Sequence, residues 1–303
     1  MRAYRVAYDG RPFHGFQRQP AVATVADALL DALSDLDVLA DDADVPPRWA
    51  AAGRTDAGVS AVAQTVAFEA PGWLTPRAFN AELPGSVRVW ASADAPATFH
   101  ATHDATRRRY VYHLHAPEAE PDAARAAAAA LTGEHDVHNL TPDETGTVRD
   151  LDVSVRRGEA VDDDGTDAES DGTAGTDRRP AAVAPEEFLV CTVAAGGFAR
   201  QLVRRLVSVL AAVATGAADL GRVDRVLGPA PLDGPAGVAP ASAEPLVLTD
   251  VAYADAGLDF AVDERARESA LTALGERRVA DLRGVRATGA VLRRLETAGS
   301  DGG

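Results

Sequence analysis

The amino-acid sequence predicts an α+β fold built from two similar halves, and three observations lead there. Short stretches alternate apolar and polar residues, the period-two pattern of a strand with one buried face. Between them lie segments with apolar residues three and four apart, opened by capping residues and closed by Gly or Pro. Along the chain the order reads roughly βα-β-α-β and then β-α-β-β-α-β. That order predicts sheets covered by helices on one face.

Residues 2–9, RAYRVAYD, place Tyr4, Val6 and Tyr8 on one face of a first strand. A glycine-containing loop, GRPFHGFQRQP, leads to Thr24, which opens a helix with Asp27 three residues on, a box-like start. Val25, Leu29, Ala32, Leu33 and Leu36 form its apolar stripe. Past residue 59, Val62, Val66 and Phe68 line one face of a strand whose polar member is Gln64. Thr75-Pro76 caps a short helix holding Phe79 and Leu83, which Pro84 stops. SVRVWASA and then RRRYVYHLH (107–115) read as strands, the second with Tyr110, Tyr112 and Leu114 on one face. An alanine-rich helix from about Asp122 to Leu131 ends at Gly133. Strands at Leu151–Val155 and 187–193 flank an acidic stretch, VDDDGTDAESDGTAGTDRRP. Nearly free of large apolar groups, that stretch cannot bury enough surface to offset its ordering entropy and reads as a disordered hairpin loop, about 158–183. GFARQLVRRLVSVLAAVATG reads as one strong helix ending at Gly216, with Arg200 and Arg204 on a common face. VLTDVAY (247–253) is a last strand, and 258–303 reads as one or two charged helices with a frayed tail. The expected units are 1–105, 106–257 and that extension.

Length and composition bound the function. The chain has 303 residues, 46% of them apolar and only 5% aromatic, enough for a sizeable core of small aliphatic side chains. Its one cysteine, Cys191, forbids an internal disulfide and fits a reducing cytoplasm; it sits among apolar strand neighbours as an inert thiol. The first ten residues reach charge at once and carry no secretory leader. The longest apolar stretch, 206–218, is too short to span a bilayer. Net charge is −16 and every cation other than His is Arg. An acidic balance ordinarily argues against nucleic acid. It also describes a surface suited to concentrated salt, where at 1 M the Debye length is roughly 3 Å and long-range repulsion disappears. Charge therefore neither excludes nor supports an RNA partner.

The chemistry concentrates at AAGRTDAGVSAVAQTVAF (51–68), which sets one carboxylate, Asp56, between small residues with Arg54 two positions before it. An isolated D-A-G triplet is most often a turn. Here Gly53, Ala57 and Gly58 allow close approach of a ligand, an apolar strand follows, and an arginine can help keep the acid ionised. A positioned, ionised carboxylate is a candidate nucleophile. His135 and His138 lack the further ligands of a metal set and read as capping or hydrogen-bonding groups.

At this point GRTDAGVSA (53–61) resembles the GRTDAGVHA motif of the TruA family of tRNA pseudouridine synthases, with Ser60 in the His place. Further blocks agree in order. YDGRPFHGFQRQ (8–19) resembles YDGxxFxGWQxQ with Phe16 for Trp, and FNAELPGSVRV (79–89) resembles FNxxLPxDIxV. FHATHDATRRRYVYHL (99–114) resembles FHARxxAxxRxYxYxI, LTGEHDVHNL (131–140) resembles LxGxHDFxxF, and GFARQLVRRLV (197–207) resembles the F-x-R-x-M-V-R-N helix. The likeness spans about residues 2–253. Departures are Thr102 for Arg, Leu202 for Met, and Pro245 for the Gly of the APxxGLxL block, here APASAEPLVL (239–248).

The resemblance implies the pseudouridine synthase fold, two ferredoxin-like α+β halves with a mixed, mainly antiparallel sheet flanked by helices and a central cleft, and isomerisation of uridine in the tRNA anticodon stem-loop without metal or organic cofactor. It makes Asp56 the nucleophile, attacking either the sugar C1′ or the base C6. Tyr110 becomes the ring that packs on a flipped base, Arg204 the partner of Asp56, and Arg54 the side chain that fills the vacated space. Leu246 would line the base pocket, and Arg109 and Arg200 would contact the RNA with their neighbours at 107–109, 200–205 and the Arg11 to Arg18 loop. A homodimer with one tRNA touching both subunits is also implied. A different RNA site, and a non-catalytic RNA-binding module, are the alternatives.

Overall fold

The computed structural model describes residues 1–40, 42–158, 184–232 and 234–298. Ten strands follow one another along it: β1 (Arg2–Tyr8), β2 (Ala50–Ala51), β3 (Ser60–Phe68), β4 (Val87–Asp94), β5 (Arg107–His115), β6 (Gly133–Asp136), β7 (Val148–Arg157), β8 (Phe188–Ala195), β9 (Leu246–Ala252) and β10 (Ala261–Val262). They join one sheet in the order β10-β4-β1-β3-β9-β5-β8-β7-β6, with β2 paired to β3. Only β3–β9 is parallel among the described pairs; the rest are antiparallel. The fold is thus α+β with a mixed, mainly antiparallel sheet. Six α-helices flank it: α1 (Val25–Asp35), α2 (Pro76–Phe79), α3 (Pro121–Leu131), α4 (Leu202–Ala214), α5 (Gly221–Leu227) and α6 (Glu264–Ala298).

Local signals explain the helix starts. Thr24 caps α1, its hydroxyl oxygen accepting from the Asp27 N–H at 3.2 Å while the hydroxyl donates to the Asp27 carboxylate at 2.6 Å. Thr75 caps α2 through its own hydroxyl oxygen, with Pro76 at the first helical position. Helix α4 departs from the sequence expectation. It begins at Leu202, because Gln201 takes a left-handed backbone at φ 60° and breaks the helical path. Arg200 therefore lies in the loop before the helix and does not share a helical face with Arg204. The C-terminal extension is one helix of 35 residues preceded by the small edge strand β10, which the charged composition concealed. The expected acidic loop, about 158–183, lies outside the described residues apart from Gly158; β7 and β8 pair on either side of it.

The core is a continuous layer of Ala, Val and Leu, with Tyr4, Phe68 and Phe79 as its largest buried rings. Leu202 and Leu206 of α4 are fully buried, and truncating such a side chain to Ala costs about 2–5 kcal/mol. At the middle of the sheet β9 brings the two ends of the chain together. Ser60 and Ala61 of β3 pair with Val247 and Leu248, while Tyr110 and Tyr112 of β5 pair with Leu248 and Leu246. Arg5 of β1 reinforces this seam, donating to Thr65 Oγ1 at 3.0 Å and to the Val251 carbonyl at 2.7 Å, with its guanidinium 4.2 Å from the Phe260 ring.

Candidate active site

A cleft of about 1880 Å³ opens over this seam, lined by residues of the 14–19 loop and the 49–59 segment, by Thr102, Arg108 and Tyr110, by the loop from Gly196 into α4, and by Leu246. Asp56 stands in the turn that delivers the chain into β3. The turn is closed by the Val59 N–H on the Asp56 carbonyl at 3.1 Å, with Gly58 at φ +84°. The loop after β1 braces it from below. Gly15, at φ +96°, lies so close that a Cβ would sit 2.8 Å from the Thr55 carbonyl oxygen. A Cβ on Gly10 would lie 2.0 Å from the Val59 carbonyl oxygen. These two glycines of the YDGRPFHG block are therefore spacers, allowing one backbone to rest directly on another. Phe16 N–H donates to the Thr55 carbonyl at 3.0 Å, and Gly10 N–H donates to Ser60 Oγ at 3.0 Å, so Ser60 serves this packing in the His place. Gln64, fully buried, donates to the Gly53 carbonyl at 2.9 Å and ties the other side of the turn to β3.

The carboxylate meets its partner across the cleft. Arg204, in the first turn of α4, donates through Nη1 to Asp56 Oδ2 at 2.9 Å and through Nε to the Ala241 carbonyl at 2.7 Å. The second contact fixes the guanidinium, so that the first is aimed rather than adventitious. The side chain of Asp56 remains 33% exposed, leaving its other oxygen open to the cleft. A carboxylate held by one oxygen, with the other free beside apolar walls, is suited to attack an electrophilic carbon.

Tyr110 forms part of the wall. Its ring is buried edge-on to Phe198, centroids 5.2 Å apart at 88°. Burial pushes its hydroxyl up to about 12, with Arg108 pulling down and Asp56 pushing up; near neutral pH the phenol is a donor and not a base. Leu246 is buried and lines the same cavity. Arg54 is exposed at the cleft. Arg200 also lines the cleft, its backbone N–H on Asp143 at 2.8 Å and its Nε 3.5 Å from the same carboxylate. Arg109 is not brought to the site: it is exposed on the opposite face of β5 and does not line the cleft.

Sequence reasoning counted Arg108 only within the RNA-contacting cluster 107–109 and missed its part in holding the site together. It is buried and donates to the carbonyls of Ala52 at 2.6 and 3.0 Å, Thr102 at 2.8 Å and Gly196 at 2.6 Å. It thereby joins the segment before Asp56, the loop before β5 and the loop before α4. The alternation that assigned Tyr110 and Tyr112 to the inner face carries Arg108 with them, and that signal was available in RRRY. Thr102, in the family's Arg place, donates to the Ala51 carbonyl at 2.6 Å. Away from the cleft, His135 lies 3.2 Å from the Thr132 carbonyl and His138 3.4 Å from Asp136. Cys191 is buried, its thiol pushed up to about 12 by burial.

Comparison with known proteins follows the same lines. Residues 127–254 match the family model described as tRNA pseudouridine synthase. The chain is 54% identical over 287 residues to the tRNA pseudouridine synthase A of Haloarcula marismortui, covering 92% of this chain and 94% of that protein. It is 52% identical over 293 residues to that of Natronomonas pharaonis, covering 96% and 98%. A more distant relative, from Methanothrix thermoacetophila, is 34% identical over 84% of this chain and 83% of its own length. With relatives this similar over nearly the whole length, the chain belongs to the tRNA pseudouridine synthase A (TruA) family.

Proposed function

We propose that this protein isomerises uridine to pseudouridine in tRNA, with Asp56 as the nucleophile and the anticodon stem-loop as the region acted on. The observation that carries the reading is electrostatic. The protein as a whole has 46 acidic residues against 30 arginines. The cleft reverses that balance, with Arg18, Arg54, Arg108, Arg149, Arg200 and Arg204 against Asp56 and Asp143 alone. A polyanionic substrate is thus drawn to the cleft in which the anchored Asp56 carboxylate has an open oxygen.

The chemistry balances without an external reagent. Asp56 adds to the uridine at C1′ or C6, the N1–C1′ bond breaks, the uracil turns, and C5 bonds to C1′ as the carboxylate is released. The proton lost from C5 is matched by one gained at N1. A base within a stem cannot be reached in place, so the nucleotide leaves the stack, at about a few kcal/mol. Tyr110 and Leu246 then offer the extruded base an apolar seat, and Arg54 is placed to occupy the gap it leaves. Arg204 holds the carboxylate aligned. Arg200, with Arg18 and Arg149, positions phosphates without reading sequence.

No organic cofactor or metal has a part in these steps. The acidic, lysine-free composition and the haloarchaeal relatives support work in concentrated salt. No described helix is long and apolar enough to cross a membrane, and we place the enzyme in the cytoplasm as a homodimer. The test is to incubate pure protein with an unmodified tRNA transcript at high and low salt and map pseudouridine. Product in the anticodon stem-loop is expected. Binding without product would instead make the protein an RNA-binding module, and product elsewhere would move the substrate site.

A further inference from the structure

Helix α6 lies beyond residues 2–253, where the motif blocks fall, and is built in two parts. Its first turns belong to the body: Ala266 and Ala270 are buried, and Arg277 and Asp281 bond to Asp9 and Arg11 at 2.7 Å. Past that anchor the helix leaves the body, and every residue from Leu282 to Thr288 is exposed. Residues 282–298 hold four arginines, Arg283, Arg286, Arg293 and Arg294, against one acid, Glu296. In a chain of net charge −16 that is a local reversal of sign, and the cleft is where the same reversal recurs.

We infer that the distal part of α6 is a cationic arm that lies along the phosphate backbone of the RNA held in the cleft. The inference rests on the RNA reading of the cleft. Arg283 and Arg286 are neighbours on one helix face, and Arg294, three turns on, returns to it. The arm starts in the right place. Arg11, which holds Asp281, is three residues before His14, where the loop lining the cleft begins. Seventeen residues from that anchor reach about 25 Å. The occupant is argued from charge. In concentrated salt only contact pairs keep their strength, and the arginine fork pairs directly with phosphate. A second copy of this acidic chain would be the other occupant, seated on the exposed stripe of Leu282, Val285 and Leu292.

The test uses the full-length double variant Arg283→Glu/Arg286→Glu with unmodified tRNA over a range of salt. KM is expected to rise about tenfold with kcat within about twofold of wild type. The slope of log KM against log salt should fall by about two, near one for each phosphate that is no longer neutralised. Arg283→Gln/Arg286→Gln should fall between. KM and slope equal to wild type in both variants would overturn the inference, as would an unchanged KM with a shifted sedimentation coefficient, which would give the face to a second copy. If the wild-type protein forms no pseudouridine, the proposed activity fails on its own. The salt slope of tRNA binding, read by filter retention, then still decides the arm.

Discussion

Two aspartates, each in a short motif that holds a glycine, meet arginine in opposite ways. Asp9, in YDG, is nearly buried and its oxygens are fully engaged. Arg11 donates to both of them at 2.8 Å, Arg277 donates to Oδ2 at 2.8 Å, and the Arg11 backbone N–H adds a bond at 3.1 Å. Burial pushes its carboxyl up, and the hydrogen bonds from Arg11 and Arg277 more than reverse this, holding it down at about 2. Asp56, in TDAG, has one guanidinium contact and a third of its side chain open. The difference teaches what a reactive carboxylate needs here: one cation to aim it, and one oxygen left without a partner. Asp9 commits all its capacity to holding the loop that supports Asp56.

The comparison can be broken first at Arg204. Arg204→Met should lower kcat by about 10²–10³-fold, the scale seen when one preorganised charge partner is removed, with little change in melting temperature because the pair is partly solvated. A comparable loss of stability would make Asp56–Arg204 a structural pair like that of Asp9. Next comes Gly10→Ala, which drives a Cβ toward the Val59 carbonyl and should cost about 2–3 kcal/mol of stability, measured by denaturant unfolding. Activity should fall with it, since the displaced backbone leads into the Asp56 turn.

Asp9→Asn sharpens the contrast through pH. A carboxyl lowered from 3.8 to about 2 on folding stabilises the native state above the unfolded value, and loses that contribution as pH falls through about 2. The wild type should therefore lose about 2 kcal/mol from this group between pH 4 and 2. The asparagine variant should start less stable and show a flatter acid limb in thermal melts. Smallest is Ser60→Ala, which removes the acceptor of the Gly10 N–H and should cost about 1 kcal/mol. A large loss of turnover with that change would show that the hydroxyl reaches beyond packing.

Much of this was legible in the sequence because it is local. Alternation revealed β1, β3 and β5, caps revealed α1 and α2, and the resemblance placed Asp56 and Arg204, which lie 148 positions apart and meet at 2.9 Å. What stayed hidden depends on register and on backbone angles. Arg108 and Arg109 are identical letters, and only the pleat decides that the first is buried beneath the cleft while the second faces away. Arg200 looked helical because GFARQLVRR has helical spacing, yet a single left-handed residue, Gln201, ends the pattern. β2 and β10 have two residues each, too few to show a period. The roles of Gly10 and Gly15 depend on a neighbouring chain segment about forty to fifty positions away, which no local pattern announces.

The most direct measurement is made on Asp56→Asn, which keeps the shape of the side chain and removes its charge and nucleophilicity. Pure variant and wild type are compared for tRNA affinity and for pseudouridine formed in a single turnover. The account predicts affinity within about threefold, since phosphate contacts are untouched, and product formation reduced by about 10⁴-fold or more. Turnover at the wild-type rate by the asparagine variant would contradict it outright.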